Sequence, residues 1–105
     1  MNRRHPCSCC GHRVLSEPPG SYEVCPVCRW EDDRVQLRWP TMTGGANRVS
    51  LVQGQRNYRD FGACDEHDRR FARPPTADEP LDPAWRPIAP IRDSFETWEA
   101  ADPAP

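Results

Sequence analysis

Alternation is the first signal in the N-terminal part of the chain. "HRVL" (His12–Leu15) and "SYEV" (Ser21–Val24) alternate or carry β-branched residues, and "SEPPGS" between them is rich in turn formers. The pattern predicts a β-hairpin with one cysteine cluster at the base of each arm. After the second cluster, "WEDDRVQLRW" predicts a third short strand around Arg34–Leu37, with the acidic run Glu31–Asp33 as its connection. The period then changes. Ser50 with Gln53 three residues on makes a capping box, and Leu51, Tyr58 and Phe61 fall near one helical face with Gln55 between them. Gly62 suits a left-handed C-cap. One helix is expected over Leu51–Phe61. Gly54 inside it costs roughly 1 kcal/mol relative to alanine, so packing must hold it.

Patterning gives way near Arg73. Eight of the last 33 residues are proline and acids outnumber arginines, a composition that cannot form a core of its own. Two regions follow: a cysteine-rich domain over residues 1–73 and a proline-rich acidic tail over residues 74–105. Within the tail, "RDSFETWEA" offers an N-cap in Asp93 or Ser94, and Phe95 and Trp98 sit three apart, with Ile88 and Ile91 upstream. It reads either as a short docking element or as a solvated tail with incidental aromatics. Exposed Trp85 and Trp98 would be costly, so something is expected to cover them. The fold class is small α+β: a zinc-ribbon-like hairpin or three-stranded sheet, one packed helix, and the tail.

Composition sharpens the picture. With 105 residues and 36% apolar content, the chain has little core to spare. Folds below roughly 70–80 residues commonly need disulfides or a structural metal, and this domain sits near that limit. The net charge of −2 gives no global basic field for nucleic acid. Residues 1–71 carry 11 Arg against 9 acids, and residues 72–105 carry 3 against 7. Lysine is absent. That reads as composition bias, since arginines selected for phosphate contacts would cluster and these are scattered. No stretch approaches the ~20 apolar residues of a membrane helix, and "MNRRHPCSCC" lacks the apolar region of a secretory signal. A cytoplasmic protein with reduced thiols is expected, which favours metal over disulfides.

"CSCCG" puts three cysteines into four positions. Cys7 and Cys10 form one CxxC, Cys25 and Cys28 form another, and fourteen residues separate the pairs. Four thiolates at the corners of a tetrahedron are what Zn²⁺ accepts in a closed structural site. Gly11 permits the close turn after the first pair, and Pro26 helps fix the second. Cys9 is the passenger, because adjacent ligands Cys9 and Cys10 would aim awkwardly at one ion. A redox CxxC would expect one pair at a helix N-terminus. Cys9 and Cys64 are expected to be buried apolar residues. Alternatively they reach each other, or with His67 in "CDEHD" they form a secondary thiol or metal site.

Other candidates are weaker. Glu31, Asp32 and Asp33 read as a solvated acidic turn, as a cation or acid/base site, or as caps of backbone amides. Asn47 is expected to bond its own turn. His5, His12 and His67 accompany no serine with an elbow or oxyanion-hole signature, and there is no phosphate loop or dinucleotide fingerprint. No catalytic residue is assigned.

Taken together, "CSCCG", "YEVCPVCRWEDDRVQ", "GGANRVSLVQGQRNYRDFGAC" and "RPP" resemble the small bacterial cysteine-rich CPCC family over about residues 6–75. Three departures stand out: Ser8 where the family has proline, Arg29 where it has an aromatic residue, and Gly54 where it has alanine. The resemblance implies a bacterial, cytoplasmic, zinc-ribbon-like domain and little about activity. It also groups Trp30–Asp33, Asn47 and Cys64 into one shared surface or site.

Three functions compete. In the first, one structural Zn²⁺ staples a binding module for another protein in a regulatory, adaptor or immunity-type role. Trp30, Glu31, Asp32, Asp33, Asn47, Trp85 and Trp98 then form the candidate surface. In the second, Arg3, Arg4, Arg13, Arg29, Arg34 and Arg38 line a face that binds nucleic acid or the ribosome, with Trp30 or Trp39 stacking on a base. In the third, Cys9, Cys64 and His67 serve a thiol enzyme or redox sensor.

Overall fold

The computed structural model describes residues 3–89. Its sheet is a two-stranded antiparallel ribbon, β1 (His5–Pro6) with β2 (Arg13–Leu15), in the register His5↔Leu15 and Pro6↔Arg13. Two helices follow, α1 (Arg34–Arg38) and α2 (Leu51–Phe61), and a 3₁₀ turn covers Glu66–Asp68.

The ribbon wraps one cysteine pair instead of joining two. The expected hairpin between "HRVL" and "SYEV" does not form; β2 turns back over the first knuckle to pair with β1. Val24 makes only an isolated bridge to Glu31, within the second knuckle. The two knuckles repeat the same backbone. Cys7 N donates to His12 O at 2.9 Å and Gly11 N to Cys7 O at 2.7 Å. In the second, Cys25 N donates to Trp30 O at 2.8 Å and Arg29 N to Cys25 O at 2.9 Å. Each knuckle passes through the left-handed region at the same place, Gly11 with φ +79° and Arg29 with φ +73°. At Gly11 a side chain is also excluded by space, since a Cβ would lie 2.3 Å from the Trp85 ring. Arg29 bears the left-handed conformation with a full side chain, which costs an L-residue about 1–2 kcal/mol. Arg29→Gly is therefore expected to raise stability by about 1 kcal/mol, measured as a higher urea midpoint at unchanged slope.

The third strand predicted around Arg34–Leu37 is helix α1. Val35 and Leu37 alternate as in a strand, but Asp33 decides the outcome. Its Oδ1 accepts from Val35 N at 2.7 Å and Gln36 N at 3.1 Å, capping the first turn. Helix α2 keeps the predicted bounds. Ser50 accepts from Gln53 N, and Gly62 closes the helix at φ +82°. The capping box is half formed, because the Gln53 side chain donates to Asn57 and does not return to Ser50.

The core gathers the six cysteines, Val14, Leu15, Val27, Trp30 and Leu51. Gly54 lets α2 approach it: a Cβ there would stand 3.2 Å from the Trp30 ring and 3.3 Å from the Cys9 sulfur. Close approach is what the missing side chain permits at this turn of the helix.

Residues 74–89 run back along the domain. Asp82 N donates to Gly11 O at 2.9 Å and Arg13 N to Pro80 O at 2.9 Å, laying Leu81 beside β2 in a single bridge to His12. Trp85 covers Gly11 and donates from Nε1 to Ser8 O at 3.2 Å. Trp98, Phe95 and Ile91 lie outside the described residues. Two ion pairs hold this return. Arg13 meets Asp82 at 2.8 Å, and Arg73 clasps Glu79 through both nitrogens at 2.7 and 2.9 Å. The Arg73 guanidinium, with Thr76 N, holds the buried Glu79 carboxyl down at about 2, against an ordinary 4.5. A carboxyl depressed on folding contributes stability above its unfolded value and loses it as pH falls through the folded one. Glu79→Gln is thus expected to cost on the order of 1–2 kcal/mol, discounted because Arg73 is partly exposed. In urea titrations the gap between the two proteins should be equal at pH 7 and pH 6, and narrow only as pH drops below 4.5.

Candidate metal centre

Each knuckle offers two sulfurs to one point. Cys7, Cys10, Cys25 and Cys28 are all buried, and their Sγ atoms lie within 4.8 Å of one another. Across the knuckles, Cys7 Sγ is 3.7 Å from Cys28 Sγ and Cys10 Sγ is 3.8 Å from Cys25 Sγ. Among the described residues no other group of three or more His, Cys, Asp or Glu side chains comes close enough to share an ion. Backbone amides already point at two of the sulfurs: Cys9 N at Cys7 Sγ (3.4 Å) and Cys28 N at Cys25 Sγ (3.5 Å). Amide donors directed at sulfur favour the thiolate.

Without a cation the cluster is electrostatically frustrated. Burial pushes the Cys7 and Cys28 thiols up, and the hydrogen bond shared with Cys25 pushes up Cys10. Cys25, which receives the hydrogen bonds of its neighbours, is lowered. Four buried thiolates repel one another, and a metal cation at their centre is the charge that would relieve them. The arrangement fits a closed structural metal centre.

Neighbouring segments brace it. Cys64 N donates to Cys28 O at 2.9 Å and Arg73 N to Val27 O at 3.0 Å, tying the second knuckle to the chain beyond α2. Gln55, buried on α2, donates from Nε2 to Ser8 O at 2.9 Å and accepts Ile88 N on Oε1 at 2.8 Å. One side chain thus joins the first knuckle, α2 and the returning tail. The sequence flagged Gln55 only as lying between apolar helix positions; an amide on the apolar face was the available clue.

The expected display surface is largely interior. Trp30, Asp32, Asp33 and Asn47 are buried, with exposures of 1%, 1%, 4% and 9%. Asp32 Oδ2 accepts from Gly20 N, Ser21 N and Ser21 Oγ at 2.8–3.0 Å, and Asp33 Oδ2 accepts from Ala46 N at 2.8 Å. Asn47 does more than bond its own turn. It pairs with Glu31 as a strand would, Oδ1 accepting Glu31 N at 2.9 Å and Nδ2 donating to Glu31 O at 2.8 Å. These residues sew loops together and do not present a face. Gln36, fully buried on α1, is the hub that sequence reading missed. Its Nε2 donates to Met42 O, Asn47 O and Val49 O at 3.0–3.2 Å, and its Oε1 accepts from Asn47 N and Nδ2 at 3.1 and 2.9 Å.

Glu31 does reach an open cleft of about 410 Å³ beside the second knuckle, with Val24, Arg29, Arg48, His67 and Phe71. Val24 and Phe71 are 43% and 55% exposed. Cys64 also lines it but is itself buried, and burial, with the neighbouring Cys9, pushes its thiol up. A raised thiol is a poor nucleophile at neutral pH. His67 is exposed and its Nδ1 lies 3.3 Å from Asp68 Oδ1. Cys9 is fully buried under α2. Of the arginines expected on one face, Arg13 is engaged by Asp82 and Arg4 O, and Arg4 donates to Asp78 O.

The family model described as cysteine-rich CPCC matches residues 5–79, a span holding both knuckles, α1, α2 and the Arg73–Glu79 clasp. No curated protein matches the chain. No helix among the described residues is long and apolar enough to cross a membrane.

Proposed function

We propose that this chain, a member of the cysteine-rich CPCC family, is a zinc-stapled binding module that associates with a protein partner. The observation that carries the zinc assignment is the sulfur geometry. Zn–S bonds of about 2.3 Å at tetrahedral angles require sulfurs about 3.8 Å apart, and the cross-knuckle separations are 3.7 and 3.8 Å. Four soft thiolates with no oxygen donor select zinc over magnesium or calcium. Four ligands also complete the tetrahedron, so the ion's role is architectural.

What remains for function is the surface that the staple holds rigid. The cleft beside the second knuckle sets exposed Val24 and Phe71 among charges of both signs, Arg29 and Arg48 with Glu31, Asp65 and Asp68. Aromatic and arginine side chains are enriched where proteins dock. A regulatory or adaptor role in a reducing bacterial cytoplasm follows from this reading. The test is affinity capture with the zinc-loaded protein against a Phe71→Asp variant. A stoichiometric protein recovered by the first and lost by the second supports the proposal; identical recoveries, or nucleic acid in place of protein, reject it.

A further inference from the structure

A second concavity, a groove of about 500 Å³, lies between α2 and residues 81–88. Successive turns of α2 supply one wall: Val52, Gln55 with Arg56, and Arg59 follow one another at three- and four-residue spacing. Leu81, Trp85 and Ile88 form the facing wall, in a stretch where Pro83 and Pro87 lack the amide hydrogens of regular structure. Hydrogen bonds fix both walls. Gln55 joins them, Nε2 donating to Ser8 O at 2.9 Å and Oε1 accepting Ile88 N at 2.8 Å. Trp85 Nε1 also donates to Ser8 O, and Asp82 N donates to Gly11 O. The groove is therefore built in advance of any ligand, and its volume lies within the roughly 300–1,000 Å³ of small-molecule sites.

Its chemistry is one-sided. The rings of Trp85, Tyr58 and His12 line it, the last two edge to face at 6.2 Å. Leu81 stays 52% exposed along the wall. Arg56 is exposed and has no ion-pair partner among the described residues, and Arg59 meets Asp60 through Nε alone. No aspartate or glutamate among the described residues lines the groove. The cleft beside the second knuckle differs, because there Glu31, Asp65 and Asp68 stand among the arginines. A cation beside a ring-lined apolar groove calls for an anion with a flat apolar body. Offset or edge-on packing between aromatic rings is favourable, and a planar guanidinium takes a carboxylate through parallel hydrogen bonds. A lone free guanidinium also matches the single charge of a carboxylate better than the near-double charge of a phosphate. We propose that the groove binds a small aromatic carboxylate, its ring against Trp85 and Tyr58 and its carboxylate at the rim on Arg56. The site is separate from the cleft assigned to a protein partner and does not depend on that assignment.

The test titrates 2-naphthoate, and 2-naphthamide as its uncharged match, into the full-length zinc-loaded protein. Saturable one-to-one binding of the naphthoate is expected, with NMR shifts at the Val52, Leu81 and Ile88 methyls and the Trp85 indole. The naphthamide should bind about tenfold more weakly. Arg56→Gln, at an exposed position, should erase that difference by weakening the naphthoate alone. Leu81→Ser, at the exposed wall, should weaken both probes and preserve the ratio between them. Equal affinity for the two probes, indifference to Arg56→Gln, no saturation, or shifts centred on Arg29 and Phe71 would overturn the proposal. Groove signals that move with protein concentration alone would assign it to a second copy and overturn it too. So would contacts to the groove from elsewhere in the same chain that the naphthoate does not displace.

Discussion

Cys25→Ser is expected to unfold the described domain and abolish metal binding. A structural zinc contributes about 10–16 kcal/mol of apparent binding free energy in small finger-like units, whereas whole domains are stable by only about 5–15 kcal/mol. The serine hydroxyl cannot supply a thiolate, and Cys25 is the sulfur that collects its neighbours' hydrogen bonds. Elemental analysis should return about one zinc per wild-type chain and essentially none for the variant. Amide resonances of the variant should collapse into the narrow range of an unfolded chain. Cys9→Ala is the matched control. Cys9 is just as buried but lies outside the tetrad, so the variant should keep its zinc and lose about 1–2 kcal/mol through a small cavity. If Cys25→Ser stays folded and metal-loaded, or if both variants behave alike, the tetrathiolate assignment fails.

Gln36→Leu should produce the next largest effect, a loss of about 3–5 kcal/mol with zinc retained. Leucine fills nearly the same space, so the cost is polar and not a cavity. Removing the amide strands the carbonyls of Met42, Asn47 and Val49 and the Asn47 amides around a fully buried position. Each buried group left unpaired costs about 1–3 kcal/mol, with partial recovery through water near the surface. Urea unfolding of the zinc-loaded protein gives the magnitude. Hydrogen exchange gives the location, since protection should fall first across residues 42–49. A change below 1 kcal/mol would mean that the loop is held by something other than this hub.

How much of this was readable in the chain depends on how local each signal is. Helix α2 was legible to its last residue, because Ser50, the apolar face and Gly62 all act within a few positions. The tetrad was legible for the same reason: each CxxC is a local turn, and the spacing needed only to be recognised. Helix α1 was not. Its five residues alternate like a strand, and only the capping geometry of Asp33 turns them into a helix. The pairing of β2 was missed because a turn-rich linker, "SEPPGS", suggested a hairpin that the first knuckle makes instead. In the structure that linker is a loop closed by Glu23, whose carboxylate accepts from Ser16, Glu17 N and Ser21 Oγ. Trp30 was read as a surface anchor since tryptophan is common at interfaces; the glycine 24 positions later that makes room for it carries no local mark. Trp85 over Gly11 is illegible on the same grounds. Long-range packing depends on partners that no short window contains.

The order of the segments along the chain has a bearing on biosynthesis. Both cysteine turns leave the ribosome well before Gly54, Cys64 and Trp85, the residues that roof them. A nascent chain therefore passes through a stage in which the indole of Trp30 and the sulfur of Cys9 lack their cover. Early capture of the ion would shape that half-built interior while its roof is still being translated. On the proposed zinc assignment, scarcity of the metal should accordingly be felt during synthesis, as misassembly and proteolysis of new chains, sooner than as loss of ion from finished ones.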